Sequence, residues 1–196
     1  MSAHENLEHA EHAEHAGHSG NKRIALLIAI LALFLALSEM GGKSAQTHAV
    51  TSNVEANDLW AFFQAKTIRM TVLGTAAEQL QIEADRATDP ALRDKLNKRI
   101  AEWKGNIARY DDDPKSNEGR KQLMARAKEA EHHRDELLAR YHNFEIASAS
   151  FQIGIVLASA EVITQIAALG WLSVGLGLIG LGFSAIGAWF PHIHLL

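Results

Sequence analysis

The chain has 196 residues, a net charge of -4 and a mean hydropathy of -0.07, which allows one modest domain plus a few long helices and gives no electrostatic case for a nucleic-acid partner. It contains no Cys, so disulfides, thiolate metal sites and Cys nucleophiles are excluded. The hydropathy average mixes very apolar with very polar segments, and each has to be read by itself.

Residues 1–21 are a His-rich tail in which Glu8-His9-Ala10, Glu11-His12-Ala13 and Glu14-His15-Ala16 repeat with period three. On a helix His9 and His12, and His12 and His15, are i,i+3 neighbours able to share a divalent metal. Period three drifts around a 3.6-residue helix, so a solvated tail with no site and a pH-sensitive tail are the competing readings.

Residues 22–42 read as a first transmembrane helix. Ile24 to Leu37 is uninterrupted apolar, and Ser38 to Gly42 extend it to a length that can cross a bilayer, with Glu39 and Lys43 at the headgroup level. No small-residue cleavage site follows, so the segment is expected to stay as an anchor. Gly41-Gly42 is expected to loosen or break the helix.

Residues 43–145 are polar and balanced, with 17 Lys and Arg against 17 Asp and Glu. Ser52-x-x-Glu55 fits a capping box. Leu59, Phe63, Lys66, Met70, Leu73, Ala77, Leu80, Ala84 and Ala87 then step by three and four, a heptad seam. Asp89-Pro90 starts a second helix carrying Leu92, Leu96, Ile100, Trp103, Ile107 and Tyr110, which Asp111-Asp112-Asp113-Pro114 stops. Ser116 or Asn117 can cap a third, striped by Leu123, Ala127, Ala130, Arg134, Leu137, Tyr141 and Phe144. No breaker separates it from Ile146, so it should run on from about Glu118 into the next apolar block.

Of the 51 residues after Glu145 only Glu161 is charged. That block divides into two spans, residues 146–169 and a third helix with a short tail in 170–196, with the turn at Gly170 and Ser173. Trp171 and Trp189 stand about 27 Å apart along the last span, where interfacial aromatics are expected. The fold class that follows is all-α: three transmembrane helices and an extramembrane antiparallel helical coiled coil. Lys22 and Arg23 before the first span favour a cytoplasmic N-terminus.

Glu161, Gln165 and Gln152 are the intramembrane polar residues. Gly154, Ala158, Glu161, Gln165 and Ala168 share one helical face, and Ser173, Gly177, Gly180, Ser184 and Gly187 make a matching small-residue face. Glu161, read as lying about one turn past mid-span, either glues helices as a protonated acid bonded to Gln165, Ser184 or a carbonyl, or lies on an ion or proton path. Gly175-x-Gly177-x-x-Gly180 matches the dinucleotide fingerprint but lacks the preceding strand, and reads as helix packing. The Asp111 to Asp113 run reads as an acidic helix stop, Glu129 with His132-His133 as a solvated face, and His192 and His194 as a frayed end. Trp60, Phe62 and Phe63 read as core beside the membrane. No nucleophile set, carboxylate pair in a cleft or phosphate loop is present, so no catalytic residue and no enzyme is expected.

The order of parts resembles a bacterial family known as domain of unknown function 4337. The residues that carry the resemblance are the Glu-His-Ala head, Asn21-Lys22-Arg23-Ile24-Ala25-Leu26-Leu27, Ser44-Ala45-Gln46-Thr47, Asn57-x-Leu59-Trp60-Ala61-Phe62-Phe63-Gln64-Ala65-Lys66 and Tyr141-His142-x-Phe144-Glu145-Ile146-Ala147. The resemblance implies a three-span protein of the bacterial inner membrane and brings no activity or catalytic residue with it. The function expected is a non-enzymatic, homo-oligomeric membrane scaffold whose partners are the lipid bilayer and copies of itself. A small ion or proton channel using Glu161 is one alternative. A metal-responsive adaptor using His9, His12 and His15, with a divalent metal as its only cofactor, is the other.

Overall fold

The computed structural model describes residues 22–189, and these form four helices: α1 Lys22–Arg86, α2 Pro90–Asp111, α3 Arg120–Thr164 and α4 Ala167–Trp189. Three of them, α1, α3 and α4, are long and apolar enough to cross a membrane. The described residues divide into two compact units, an apolar one of residues 22–50 with 134–189 and a polar one, Thr51–His133.

Two local expectations fail on α1. The helix does not break at Gly41-Gly42, and Ser52 caps nothing, because α1 is one helix of 65 residues. The glycines serve close approach instead. A Cβ on Gly41 would lie 2.9 Å from Phe144 Cζ, and one on Gly42 would lie 3.3 Å from Phe144 Cβ. Ser52 is buried and belongs to a stripe that the sequence reading started too late. Ile24, Ile28, Leu31, Leu35, Ser38, Gly42, Ala45, Ala49, Ser52, Ala56 and Leu59 already step by four and three, in phase with the seam that continues to Ala84. A regular 3.5-residue stripe keeps one side of a long helix against its partners.

In the apolar unit, Ile24, Ile28, Leu31 and Leu35 of α1 pack with Ala147, Phe151, Ile155 and Ala158 of α3. Phe151 is fully buried and stacks on Phe34 with centroids 6.0 Å apart. The turn between α3 and α4 is at Gln165 and Ile166, not at Gly170 and Ser173, which lie inside α4. Gln165 takes a left-handed φ of 57°, and its N–H donates to Glu161 O at 2.8 Å, a left-handed helix stop made without glycine.

In the polar unit α2 folds back on α1, which brings Ala77 and Ala84 against Ile100, with Leu80, Leu96 and Trp103 around them. Asp89 caps α2 by accepting from Ala91 N–H at 3.0 Å. A second cluster joins Ala56 and Leu59 of α1 to Leu123, Ala127 and Ala130 of α3, flanked by Trp60 and Phe63. The cap of α3 is Gly119, whose carbonyl accepts from Leu123 N–H at 2.9 Å, rather than Ser116 or Asn117. A Cβ at Gly119 would collide with Asp113 N and Gln122 Oε1, so the loop closes only around a residue without a side chain.

The acidic stop before α3 is an ion-paired clamp. Arg120 lies 3.2 Å from Asp111, Lys121 3.1 Å from Asp112, and Gln122 Nε2 donates to Asp112 at 2.6 Å. The Gln122 and Lys121 bonds hold the Asp112 carboxyl below its ordinary 3.8, and bonds from Ser116 do the same for Asp113. Asp112 in turn raises Lys121 above its ordinary 10.5. Lowered carboxylates contribute stability above their unfolded pKa and lose it as pH falls through the lowered folded value; the raised amine contributes below 10.5 and loses it above. The polar unit should therefore hold a plateau between these limits and soften below about pH 4. In Asp112→Asn, acid titration followed by hydrogen exchange at residues 111–122 should show a shallower acid limb.

Candidate functional site

The small-residue faces lie inside the apolar unit. Gly154, Ala158, Ser173, Gly177, Gly180 and Gly187 are buried, and Ser184 is half-buried. Ser173 Oγ donates to Gly154 O at 2.7 Å, a buried bond joining α3 to α4. The two faces do not simply mate, because α1 enters between them. A Cβ on Gly154 would lie 3.3 Å from Leu31 Cδ1, and one on Gly177 2.8 Å from Leu31 Cδ2. Gly180 receives the Phe151 ring, with atoms 2.8 Å from the position of a Cβ, and Gly187 abuts Asn143 and Phe144. Ser184 Oγ pairs with Ser38 Oγ of α1 at 2.7 Å. Two of the three dinucleotide-like glycines, Gly177 and Gly180, are thus sockets for large side chains. Gly175 itself meets nothing within 4 Å.

Glu161 is not near the middle of its helix. With α3 ending at Thr164 it sits in the last turn, and Gln165 and Ala168 no longer share its face. Gln165 is exposed in the turn and gives Glu161 only its backbone N–H. The Glu161 carboxylate lies against Gly170 in the first turn of α4, where any Cβ would strike its oxygens. A helix N-terminus favours negative charge, so the position needs no ion path to account for it.

Gln152, the third polar residue, reaches α1. Its Nε2 donates to Glu39 Oε1 at 3.4 Å. The two mark one end of a groove of about 540 Å³ between α1 and α3, walled further along by Lys43, Tyr141, Glu145 and Ser148. Arg140 donates to the last carbonyls of α4, from Nε to Gly187 O at 3.2 Å and from Nη2 to Ala188 O at 2.9 Å. Sequence reasoning missed both features. An Arg placed 47 residues before the carbonyls it caps leaves no local trace.

Metal-site expectations fare differently. His9, His12 and His15, like His192 and His194, lie outside the described residues. Among the described residues, no group of three or more His, Asp or Glu side chains is arranged to hold a metal ion.

The block Trp60 to Lys66 is spent on packing in the polar unit. Trp60 Nε1 donates to Glu131 at 2.9 Å and its ring meets Phe63 edge-on at 5.4 Å. Arg120 lies over Phe63, while Lys66, although mostly buried, places its ammonium 5.5 Å from Phe62 and 5.2 Å from Tyr110. A cation over aromatic faces is how a seam position can hold Lys.

An all-α chain with three helices of membrane-crossing length and an aromatic block packed inside a polar helical unit is the class of protein defined here. The family described as Domain of unknown function (DUF4337) matches residues 20–190, and the chain belongs to it. No curated protein and no solved structure matches the chain.

Proposed function

We propose that the protein is a non-enzymatic scaffold of the bacterial inner membrane, crossing the bilayer with the apolar parts of α1, α3 and α4 and carrying the polar helical unit outside it as a coiled coil. Lys22 and Arg23, ahead of the first span, put the N-terminus in the cytoplasm in this reading. The observation that carries it is where the polar atoms of the apolar helices go. The hydroxyls of Ser38, Ser184, Ser173, Ser150 and Ser159 are all bonded within the unit. The Ser38–Ser184 and Ser173–Gly154 bonds cross between helices and hold them together, while Ser150 and Ser159 bond back to Ile146 O and Ile155 O of their own helix; a conducting path would need such groups open to water.

Self-association falls to faces that the single chain leaves open. Gly175 and Gly182, seven residues apart on α4, have no atom within 4 Å of a Cβ and would let a second copy approach closely. Light scattering of the detergent-solubilised protein should give a dimer or larger; a clean monomer would remove the oligomeric part of the proposal. In liposomes, wild type and Glu161→Gln should show the same background ion leak. A proton or cation flux that Glu161→Gln abolishes would replace the scaffold with a channel.

A further inference from the structure

We infer that the groove between α1 and α3 is a binding site for the phosphoethanolamine headgroup of a bilayer lipid. The inference rests on the membrane reading above, which sets Glu39 and Lys43 at headgroup depth. The order of groups along the groove carries it.

The inner end is the Glu39–Gln152 pair. Lys43 is one helical turn further out on α1, about 6 Å along the axis, and Ser148 faces it from α3. Glu145 lies seven residues before Gln152 on the oppositely directed α3, about 10 Å out from the pair, with Tyr141 one turn beyond. Moving outward, the groove therefore offers an amide and carboxylate, then a cation and hydroxyl, then a carboxylate. A phosphoethanolamine lipid presents complementary groups to the outer two positions, a phosphate and then a primary ammonium two carbons further, while its ester carbonyls can accept only from the Gln152 amide at the inner end, since the Glu39 carboxylate is itself an acceptor. Lys43 and Ser148 meet the phosphate, and Glu145 accepts from the ammonium.

The groove has a built floor. Gly42 is buried, and a Cβ there would meet Phe144 Cβ at 3.3 Å and Tyr141 Cδ2 at 3.8 Å. Lys43 and Glu145 are exposed and able to reach a ligand, and His142 Nδ1 lies 3.5 Å from Glu145 on the same helix. Choline cannot substitute for ethanolamine, because a quaternary nitrogen has no N–H to give Glu145. A glycerol headgroup brings no cation at all.

The test uses the full chain in detergent, with bound lipid read by native mass spectrometry and the melting temperature read in parallel. Phosphatidylethanolamine, phosphatidylcholine and phosphatidylglycerol of identical acyl chains are the ligands, with soluble O-phosphoethanolamine as competitor. One phosphatidylethanolamine per chain should be retained about tenfold more tightly than the other two, the size of one charge-assisted hydrogen bond. Glu145→Gln should bring it to within about twofold of phosphatidylcholine, and Lys43→Met should weaken both. Both side chains are exposed, and unchanged far-UV circular dichroism checks that the variants fold.

Equal retention of the three lipids by wild type overturns the site, as does a preference that survives Glu145→Gln. Displacement of the lipid by free O-phosphoethanolamine at equal concentration assigns the groove to a soluble ligand and overturns the lipid. A chain that needs detergent yet shows no preference loses only this site. A chain recovered folded without detergent loses the bilayer reading as well.

Discussion

Phe151→Ala is expected to cost about 3 kcal/mol of stability, the low end of the range for a buried Phe, and to be the most damaging truncation in the apolar unit. The ring is fully buried, stacks on Phe34 and fills the socket at Gly180. In water that loss would combine a transfer term with a cavity term. Where the surrounding solvent is lipid the transfer term largely disappears, and what remains is the lost packing. The same socket is tested from the other side by Gly180→Ala. A Cβ would stand 2.8 Å from two Phe151 ring atoms, and a stiff ring with no exposed surface has nowhere to go, so overpacking of about 1–3 kcal/mol is expected. Gly182→Ala, two residues away with nothing within 4 Å, is the control and should be neutral or slightly stabilising, since Ala is the better helix former. Unfolding in mixed detergent micelles reads all three. Equal effects at Gly180 and Gly182 would mean that Phe151 does not occupy the socket.

Leu123→Ala should destabilise the polar unit by about 3–4 kcal/mol, although the side chain is smaller than Phe151. Leu123 is fully buried among Ala56, Leu59, Ala127 and Ala130, with Trp60 and Phe63 at the flank. This cluster belongs to the polar unit, where unfolding into water makes the transfer term count in full beside the cavity. The cluster is small and rich in Ala, which leaves little mobile side-chain volume to collapse into the gap. Hydrogen exchange should localise the damage, with faster exchange across residues 51–133 and little change in α4. Faster exchange spread evenly over the whole chain would show that Leu123 does not anchor a separate cooperative unit.

The contrast between these truncations follows from sequence features that were readable from the start. Unbroken apolar length and three-four stripes are one-dimensional signals. They locate the long apolar helices and the seams of the polar unit, whose Leu59, Ala77, Ala84, Ile100, Leu123 and Ala127 are all buried. Asp89-Pro90 marks a helix start for a local reason, since cap and ring act within one turn.

Glycine is where reading along the chain went wrong. Gly41-Gly42 carries the mark of a break and Gly170 that of a turn, yet all three are helical and make room for a neighbour: Phe144 in one case, the Glu161 carboxylate in the other. A glycine that ends a helix and one that admits a partner look identical until the partner is in place. The actual stop at Gln165 uses a left-handed residue with a side chain, which has no strong local signature.

By itself, then, the sequence determined the all-α class, the three long apolar helices, the seams and the family, because each depends on composition or periodicity within a single segment. Only the tertiary structure decided that Leu31 and Phe151 fill the glycine sockets, that Arg140 caps α4, that Glu161 sits against the start of α4, and that Glu39, Lys43, Glu145 and Gln152 line one groove. Those pairings join residues up to 146 positions apart, as Ser38 to Ser184 does, and helical periodicity says which face is buried without saying what buries it.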